Sequence, residues 1–170
     1  MKQKIDTGEV WDNKWDGTDI KVFKHQAFIT DKWTLFHKSL IEKYLKKLNR
    51  EAVFLEAGCG LGQWCFYVAE KYKIKSIGVD VAEKTIKRLN KQIFKNNNLV
   101  SFIADDLNNS KLDNNFCDMF ISLGVIEHTK NSMPMMRTLY RLTRPNGIGV
   151  ITVPSLYCMH TFTRPILKIF

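Results

Sequence analysis

The stretch VFLEAGCGLGQW, residues 53–64, decides the fold, because an apolar run leads through Glu56 into glycines at every second position. The apolar run is typical of a buried strand, and QWCFYVAEKY has the length and apolar content of the helix that follows. Gly58, Gly60 and Gly62 lie in the turn. Glycine tolerates positive φ and has no Cβ, so a ligand can approach the backbone amides of such a turn closely. The stretch therefore predicts a strand, a bare turn and a helix in succession.

The same alternation continues towards the C-terminus. IKSIGVD, LVSFIA, CDMFISLG and IGVITV are predicted to be the second to fifth strands. Helical periodicity covers residues 82–97, which predicts a helix there. A further helix is predicted to begin at Ser132, with Pro134 in its first turn. RPNG predicts a turn that leads into the last strand. Strands that are apolar throughout and separated by helices indicate a parallel sheet covered on both faces. We therefore expect an α/β fold with a Rossmann-like, doubly wound and mainly parallel sheet in a three-layer α/β/α arrangement.

The first fifty residues differ from the rest in their sequence pattern. We expect residues 1–50 to form an N-terminal helical extension or lid and residues 51–170 to form the main domain. Residues 28–48 predict an amphipathic helix. Its inward side chains are expected to be Trp33, Phe36, Leu40, Tyr44 and Leu48. Trp11 and Trp15 allow two interpretations, since aromatic clusters usually belong to a core, whereas these two would also suit a lid over a cleft.

The composition is that of one globular domain with enough apolar residues for a core, since the 170 residues are 45% hydrophobic and 25% charged. The formal net charge of +9 admits an anionic partner, but the basic excess is spread along the chain. Its densest part falls at helical spacing, on Lys84, Lys87, Arg88, Lys91 and Lys95. A solvated helix face is the commoner explanation of that pattern, so nucleic-acid binding is not favoured.

The cysteines indicate neither a metal site nor a disulfide framework. Cys59, Cys65, Cys117 and Cys158 form no CxxC pair and lie in or beside apolar runs, so we expect reduced, buried thiols and no metal. The N-terminus has no apolar signal region, and no stretch approaches the roughly 18 uninterrupted apolar residues of a membrane-spanning helix. A cytoplasmic location and no transmembrane segment are the expectations that follow.

The glycine turn is expected to contact a ligand, because an open parallel sheet binds ligands beyond the carboxyl ends of its strands. Three classes of ligand are considered. A nucleoside triphosphate requires a G-x-x-x-x-G-K-[ST] loop, whose lysine is absent here. A dinucleotide requires G-x-G-x-x-G, but Gln63 occupies the place of the third glycine. Glu56, ahead of the turn, suits a ligand with an ammonium group better than a pyrophosphate.

Carboxylates at the next two predicted strand ends narrow the choice. Asp80 ends the second strand, where it can accept hydrogen bonds from both hydroxyls of a ribose. The third strand leads into ADDL, where Asp105 or Asp106 can accept from an exocyclic amine. Val81 and Leu107 can supply apolar contacts to a purine. These residues favour an adenosine that lacks phosphates and carries positive charge elsewhere.

The motifs LEAGCGLG, GVD, FIADDL, FCDMFISLGVIEH and LYRLTRPNGIGVITVP follow one another in residues 53–154. In this order and spacing the chain resembles the class I S-adenosylmethionine-dependent methyltransferases of the small-molecule, methyltransferase domain 11-like type. The resemblance implies S-adenosylmethionine as the cofactor and transfer of its methyl group to a small-molecule acceptor. The cofactor-binding residues that it implies are Glu56, Gly58, Cys59, Gly60, Gly62, Asp80, Val81, Asp105, Asp106, Leu107 and Leu123.

By the same resemblance, each part of the cofactor has its own contacts. The glycine turn lines the methionine and ribose side, and Glu56 supports that turn. Asp80 holds the ribose, and Asp106, or Asp105 if the register differs by one, takes the adenine amino group. The backbone near Leu123 meets the methionine ammonium. Taken singly, the glycines could serve tight turns, Asp80 could cap a helix, and Asp105 and Asp106 could be ordinary loop residues. Only the occurrence of the whole set at successive strand ends favours one cofactor.

Methyl transfer from a sulfonium is an in-line displacement, so the protein mainly aligns the reacting atoms in a water-poor site and no metal is required. An acceptor that must lose a proton also needs a base. His128 in GVIEH, at the carboxyl end of the fourth strand, is the candidate catalytic residue for this step. The alternative is that His128 only hydrogen-bonds its loop, with Glu127 orienting it.

The C-terminus departs from the family. The resemblance to class I methyltransferases implies a seven-stranded sheet whose last two strands form an antiparallel pair. This chain is too short for that pair, so we expect a truncated or shortened domain. The apolar segment SLYCMHTFTRPILKIF would cover the edge of the fifth strand, or meet a partner chain, as in a homodimer, or a membrane surface. Two other functions stay open: an RNA or protein methyltransferase, or a catalytically silent cofactor-binding module that acts with a partner.

Overall fold

The computed structural model of the protein describes residues 7–18, 32–93 and 98–154. Helices and strands alternate along most of this length. In chain order they are α1 (Gly8–Trp15), α2 (Lys32–Leu45), β1 (Val53–Ala57), α3 (Gln63–Tyr72), β2 (Lys75–Asp80), α4 (Glu83–Gln92), β3 (Val100–Ala104), β4 (Cys117–Leu123), a 3-10 turn (Ile126–His128), α5 (Ser132–Leu142) and β5 (Thr143–Thr152). Residues 28–31 and 94–97 of the predicted helices, and the apolar C-terminal segment with its proposed partner contacts, lie outside the described residues.

The five strands form one sheet in the order β3-β2-β1-β4-β5, and every neighbouring pair is parallel. Parallel neighbours need long crossover connections, and strands that are apolar throughout need cover on both faces, so helices fill both roles. The predicted doubly wound α/β fold is confirmed. The strand order reverses between β1 and β4, and this reversal is where an open parallel sheet forms a ligand crevice at its carboxyl edge.

Alternate residues of β1 divide the core between the two faces of the sheet. Phe54 belongs to a buried cluster with Ile41 of α2 and Trp64 of α3. Leu55 belongs to a second cluster, with Leu139 of α5. Complete burial of side chains of this size stabilises the fold by about 1.5–3 kcal/mol each. Among the described residues, no helix is both long and apolar enough to cross a bilayer.

The buried face of α2 differs from the predicted one by one residue. His37, Ile41 and Leu45 are buried, whereas Phe36 and Leu40 are 64% and 37% exposed. Of the other predicted inward residues, Tyr44 and Leu48 pack partly against the core, and the side chain of Trp33 lies outside the described residues. Two stripes of mainly apolar residues run side by side along this helix, so periodicity alone does not decide which of them docks. The packing of α2 against β1 and α3 determines which stripe is buried.

The last strand begins earlier than predicted. β5 starts at Thr143, directly after α5, so RPNG lies inside the strand and not before it. The pairing of β5 with β4 shifts between Cys117 and Met119, and Asn146 has φ +65. The turn chemistry of RPNG therefore produces a local irregularity in an edge strand.

A polar contact fixes α2 on α3. The carboxylate of Glu42 accepts hydrogen bonds from the Tyr67 hydroxyl and from the Lys71 ammonium. Partial burial acts to raise the pKa of Glu42, but these hydrogen bonds outweigh it and lower the pKa to about 2. Burial and the Glu42 carboxylate raise the pKa of Tyr67 to about 12. The contact therefore favours a charged Glu42 and a neutral Tyr67.

We expect Glu42→Gln to lower the free energy of unfolding by about 1 kcal/mol at pH 7, because it removes the charge from a partly buried hydrogen-bonded pair. Since folding lowers the pKa of Glu42, this contribution is present above pH 4.5 and is lost as the pH falls towards 2. Urea unfolding at pH 7 and pH 3 measures the difference, with Glu51→Gln, an exposed carboxylate, as the control. Equal effects of the two substitutions at pH 7 would contradict the prediction.

Candidate functional site

A cleft of about 720 Å³ opens at the carboxyl edge of the sheet. Residues that follow β1, β2, β3 and β4 line it, together with residues of α1. The predicted site residues in this lining are Gly58, Gly60, Asp80, Val81, Asp105, Asp106, Leu107, Leu123 and His128. Three predicted residues, Glu56, Cys59 and Gly62, are not part of the lining. The structure thus brings most of the predicted residues together in one cavity.

The glycine turn takes its shape from contacts on two sides. The backbone N–H of Gly58 donates to the carbonyl of Val79 in β2 at 2.8 Å. Gly58 has φ +78, and a Cβ at this position would collide with the side chain of Val125. Gly62 has φ +71, and a Cβ there would collide with the ring of Phe102. Both positions therefore exclude a side chain through packing as well as through backbone conformation.

Asp80 joins the turns that follow β1 and β2. Its Oδ2 accepts a hydrogen bond from the backbone N–H of Gly60 at 2.8 Å, and its Oδ1 accepts one from that of Ala82 at 2.9 Å. The residue is only 9% exposed, yet it belongs to the cleft lining. An ionised carboxylate has about four lone-pair positions, so these two bonds leave acceptor capacity for a hydroxyl in the cleft.

Glu56 and Cys59 lie beneath the turn and not in the cleft. The Oε2 atom of Glu56 accepts a hydrogen bond at 2.9 Å from the backbone N–H of Cys65, in the first turn of α3. Burial raises the pKa of Glu56 to about 7, although the hydrogen bonds that it accepts oppose this shift. Burial also raises the pKa of the Cys59 thiol, which belongs to the hydrophobic core. The position of Glu56 fits support of the turn and does not fit direct contact with a ligand.

The two acids after β3 differ in what they contact. The Oδ2 atom of Asp105 accepts from the Ser110 hydroxyl at 2.6 Å, and its backbone N–H donates to the carbonyl of Asp80 at 3.0 Å. Asp106 is exposed, and its Oδ1 accepts from the backbone and side-chain amides of Asn108, both at 2.9 Å. Both carboxylates thus accept hydrogen bonds within their own loop, and Asp106, which is exposed whereas Asp105 is partly buried, is the more open of the two to a ligand amine.

Apolar side chains and His128 complete the predicted part of the lining. Val81 is 39% exposed and Leu107 is 6% exposed. Leu123 ends β4, and the 3-10 turn that follows carries His128. The His128 ring meets the Trp11 ring edge-on, with the ring centroids 4.9 Å apart. This position is compatible with the base hypothesis and with the alternative of a loop contact.

Helix α1 lies against the glycine turn and against α4. The ring of Trp15 is 3.0 Å from the position that a Cβ on Gly60 would take. The Asp12 carboxylate accepts hydrogen bonds from the backbone N–H groups of Lys84 and Thr85 at 3.2 and 2.8 Å. Asp12 therefore caps the first turn of α4 from a distant part of the chain. Both tryptophans of α1 line the cleft, and their role as a lid stays a prediction.

Sequence reasoning missed part of the lining. The missed residues are Thr7, Gly8, Lys14, Asn108, Gly124, Val125, Thr129, Lys130, Asn131, Pro134 and Met135. Those after β4 surround or follow GVIEH, so an extension of the predicted strand-end site along the chain would have found them. Those of α1 lie far upstream of the glycine turn and are brought to the cleft by the contact between Asp12 and α4.

The lining suits a nucleoside that carries no phosphate. Carboxylates follow β2 and β3, and none of the lining residues from the turns after β1, β2 and β3 is a lysine or an arginine. In the part of the chain that the structure describes, no group of three or more His, Cys, Asp or Glu residues is placed to hold a metal ion. Strand order and cleft together agree with a class I S-adenosylmethionine-dependent methyltransferase.

The family comparison agrees with this class. A family model described as "Methyltransferase domain" matches residues 55–151, which is more than half of the chain. The chain therefore belongs to the methyltransferase domain family. S-adenosylmethionine is the cofactor of this class, and methyl transfer is its type of reaction.

Individual relatives extend the comparison. The chain is 29% identical over 108 residues to phosphoethanolamine N-methyltransferase of Plasmodium falciparum (isolate 3D7), covering 62% of this chain and 40% of that protein. It is 32% identical over 101 residues to norajmaline N-methyltransferase of Rauvolfia serpentina, covering 57% of this chain and 34% of that protein. The crystal structure of the PH0226 protein from Pyrococcus horikoshii OT3 is similar with a TM-score of 0.64, at 18% identity, over 90% of this chain and 70% of that chain. The chain thus spans less than half the length of these two curated relatives.

The raised pKa of Glu56 gives a prediction for stability. Folding raises the pKa from 4.5 to about 7, so the folded protein loses stability as the pH rises from about 4.5 through 7. We expect Glu56→Gln to remove this loss, so that its free energy of unfolding rises by about 1–3 kcal/mol relative to the parent between pH 5 and pH 8. Urea unfolding at both pH values measures this change, with Glu51→Gln as the control. A difference between variant and parent that is the same at both pH values would disprove the protonation of Glu56.

Proposed function

We propose that the cleft binds S-adenosylmethionine and that the protein transfers its methyl group to a small-molecule acceptor. The observation that carries the proposal is the convergence of a bare glycine turn with carboxylates from the ends of β2 and β3 in one cleft. The two curated relatives named above are N-methyltransferases that act on phosphoethanolamine and on norajmaline. A nitrogen atom is therefore the acceptor that we favour.

The nucleoside part of the cofactor would be held at the ends of β2 and β3. Asp80 would accept hydrogen bonds from the ribose hydroxyls, because two backbone bonds fix its carboxylate within the lining. Val81 and Leu107 would contact the adenine. Asp106 would accept from the adenine amino group in preference to Asp105, because Asp106 is exposed in the cleft whereas Asp105 is partly buried.

The methionine part would lie between the glycine turn and the end of β4. Gly58 has no side chain, so the cofactor can approach the backbone there, and the backbone near Leu123 would meet the ammonium group. Glu56 would act from below by holding the first turn of α3. Cys59 and Gly62 would shape the turn without touching the cofactor.

The bound cofactor supplies a methyl group activated on a sulfonium. The protein's part is to align the acceptor and to exclude water. Trp11 and Trp15 would cover the cleft, with residues 1–50 as a lid extension to the cofactor-binding domain of residues 51–170. His128, whose ring Trp11 meets edge-on, would take the proton that the acceptor loses.

A cytoplasmic location fits the cysteines. Cys59, Cys65 and Cys117 are free and buried. Reduced thiols of this kind are usual in the cytosol, whereas secreted domains tend to oxidise their cysteines in pairs. We therefore propose that the protein is located in the cytoplasm.

S-adenosylmethionine or its demethylated product should bind with micromolar-scale affinity and raise the melting temperature, whereas NAD and ATP should not. We expect Asp80→Asn to weaken cofactor binding about 10- to 100-fold, because a charge-assisted hydrogen bond to the ribose is lost. Isothermal titration calorimetry measures the affinity. Asp113→Asn, in the exposed loop before β4, is the matched control.

Asp80 also holds two backbone amides, so its replacement can lower stability without any loss of a ligand contact. A thermal melt of the ligand-free variant separates the two effects. Asp106→Asn tests the adenine side with an exposed residue, whose loss costs little stability. Parental affinity in both variants would overturn the nucleoside assignment.

We expect His128→Gln to lower kcat about 100-fold with phosphoethanolamine as the acceptor, while the affinity for S-adenosylmethionine stays unchanged. Steady-state kinetics with phosphoethanolamine and titration calorimetry with S-adenosylmethionine measure the two effects. Unchanged turnover of the variant across neutral pH would leave His128 with the loop-contact role. Cofactor binding by the parent without turnover of any acceptor would support the alternative of a catalytically silent module.

A further inference from the structure

The charges that line the cleft are separated by element. The acidic lining residues lie at the end of β2 (Asp80) or directly after β3 (Asp105 and Asp106). The lysines of the lining, Lys14 and Lys130, come from α1 and from the segment after β4. No acidic residue of the described lining comes from α1 or from that segment. The part of the cleft that the nucleoside would leave open is therefore basic.

Aromatic contacts place Lys14 close to the candidate base. Its Nζ lies 4.3 Å from the centroid of the Trp11 ring and 5.2 Å from that of the Trp15 ring. The Trp11 ring in turn lies 4.9 Å from the His128 ring. Cation–π contacts of this kind are weak at exposed sites, about 0.5–1 kcal/mol, so they orient the ammonium without using up its hydrogen bonds. The three donors of the ammonium stay available to an anion.

The N-terminus of α5 adds a second source of positive potential. Asn131 caps this helix of 11 residues by accepting a hydrogen bond from the backbone N–H of Met133. No acidic residue occupies its first turn. Asn131, Pro134 and Met135 belong to the cleft lining, so the positive end of the helix dipole lies at the cleft, next to Lys130 in sequence.

We propose that the acceptor carries a compact anionic group, a phosphate monoester or a carboxylate, which Lys14 and Lys130 bind at the N-terminus of α5. This inference rests on the proposed function, since it assigns the acceptor class of the same cleft. The anionic group would be held beside His128, so that the amine of the same small molecule is oriented for transfer. Each lysine acts as a specificity-determining residue, because an uncharged acceptor leaves it unpaired.

The alternative is that both lysines are only solvated surface residues. Lys14 and Lys130 are exposed, and exposed lysines often contribute little to binding. The two explanations differ in one measurable respect. Solvated lysines leave the preference for charged over uncharged acceptors unchanged when they are replaced, whereas binding lysines set that preference.

The kinetic test compares phosphoethanolamine with ethanolamine, and glycine with methylamine, in the full chain saturated with S-adenosylmethionine. We expect the parent to prefer the anionic member of at least one pair. Lys14→Gln and Lys130→Gln should each raise KM for that member roughly tenfold and lower the preference to the same extent, because one charge-assisted contact is lost. Lys75→Gln, an exposed lysine at the start of β2 and thus at the opposite edge of the sheet, is the matched control.

A binding measurement keeps the test independent of turnover. Phosphoethanolamine, glycine and inorganic phosphate are titrated calorimetrically into the protein saturated with the demethylated cofactor product. Phosphoethanolamine binding alone assigns a phosphate monoester, and glycine binding alone assigns a carboxylate. Equal binding of these probes by the parent and by a variant that combines Lys14→Gln with Lys130→Gln, or no binding of any probe while the cofactor binds, would overturn this proposal and leave the proposed function intact. Failure of the cofactor itself to bind would instead overturn the proposed function.

Discussion

The carboxylate of Asp80 is the contact on which the cleft depends. By accepting from Gly60 and from Ala82 it fixes the turn after β1 and the turn after β2 with one buried group. Burying a carboxylate is costly unless hydrogen bonds compensate, and two backbone donors at 2.8 and 2.9 Å provide that compensation. The cost is offset only if both turns keep their shape. The same bonds that stabilise Asp80 therefore hold the conformation of the glycine turn.

A second buried carboxylate supports the turn from the other side. Glu56 leaves the cleft to bind the first turn of α3, where unpaired backbone N–H groups and the helix dipole favour an anion. Burial still raises its pKa to about 7, so desolvation is the larger effect at this position. Asp80 and Glu56 lie on neighbouring strands, and the charge of Asp80 also raises the pKa of Glu56. The protein thus keeps one carboxylate in the cleft lining and a second buried one beneath the glycine turn.

Local patterns in the sequence predicted the sheet and the strand-end part of the cleft, but not the way in which separate elements dock. The strand-end residues Gly58, Asp80 and His128 could be found because the carboxyl ends of parallel strands meet at one edge. The face of α2 was wrong by one residue, because the choice between adjacent apolar stripes is made by the partner surface. Lys14 could not be predicted, because it reaches the cleft through the contact of Asp12 with α4, a pairing between distant parts of the chain.

That docking contact links the two halves of the proposed site. Helix α1 has eight residues, none of them buried, so it is too short to be stable alone and depends on its anchors. Asp12 bonds the first turn of α4, and Arg88 of α4 donates to the carbonyl of Trp15 at 2.7 Å. Partial burial raises the pKa of Asp12, but the hydrogen bonds from α4 outweigh it and lower the pKa, so the cap is charged at neutral pH. Because α4 begins directly after the turn that Asp80 organises, a ligand on that turn would also stabilise the anchor of α1. In the proposed site the cofactor side and the acceptor side would therefore share one supporting element.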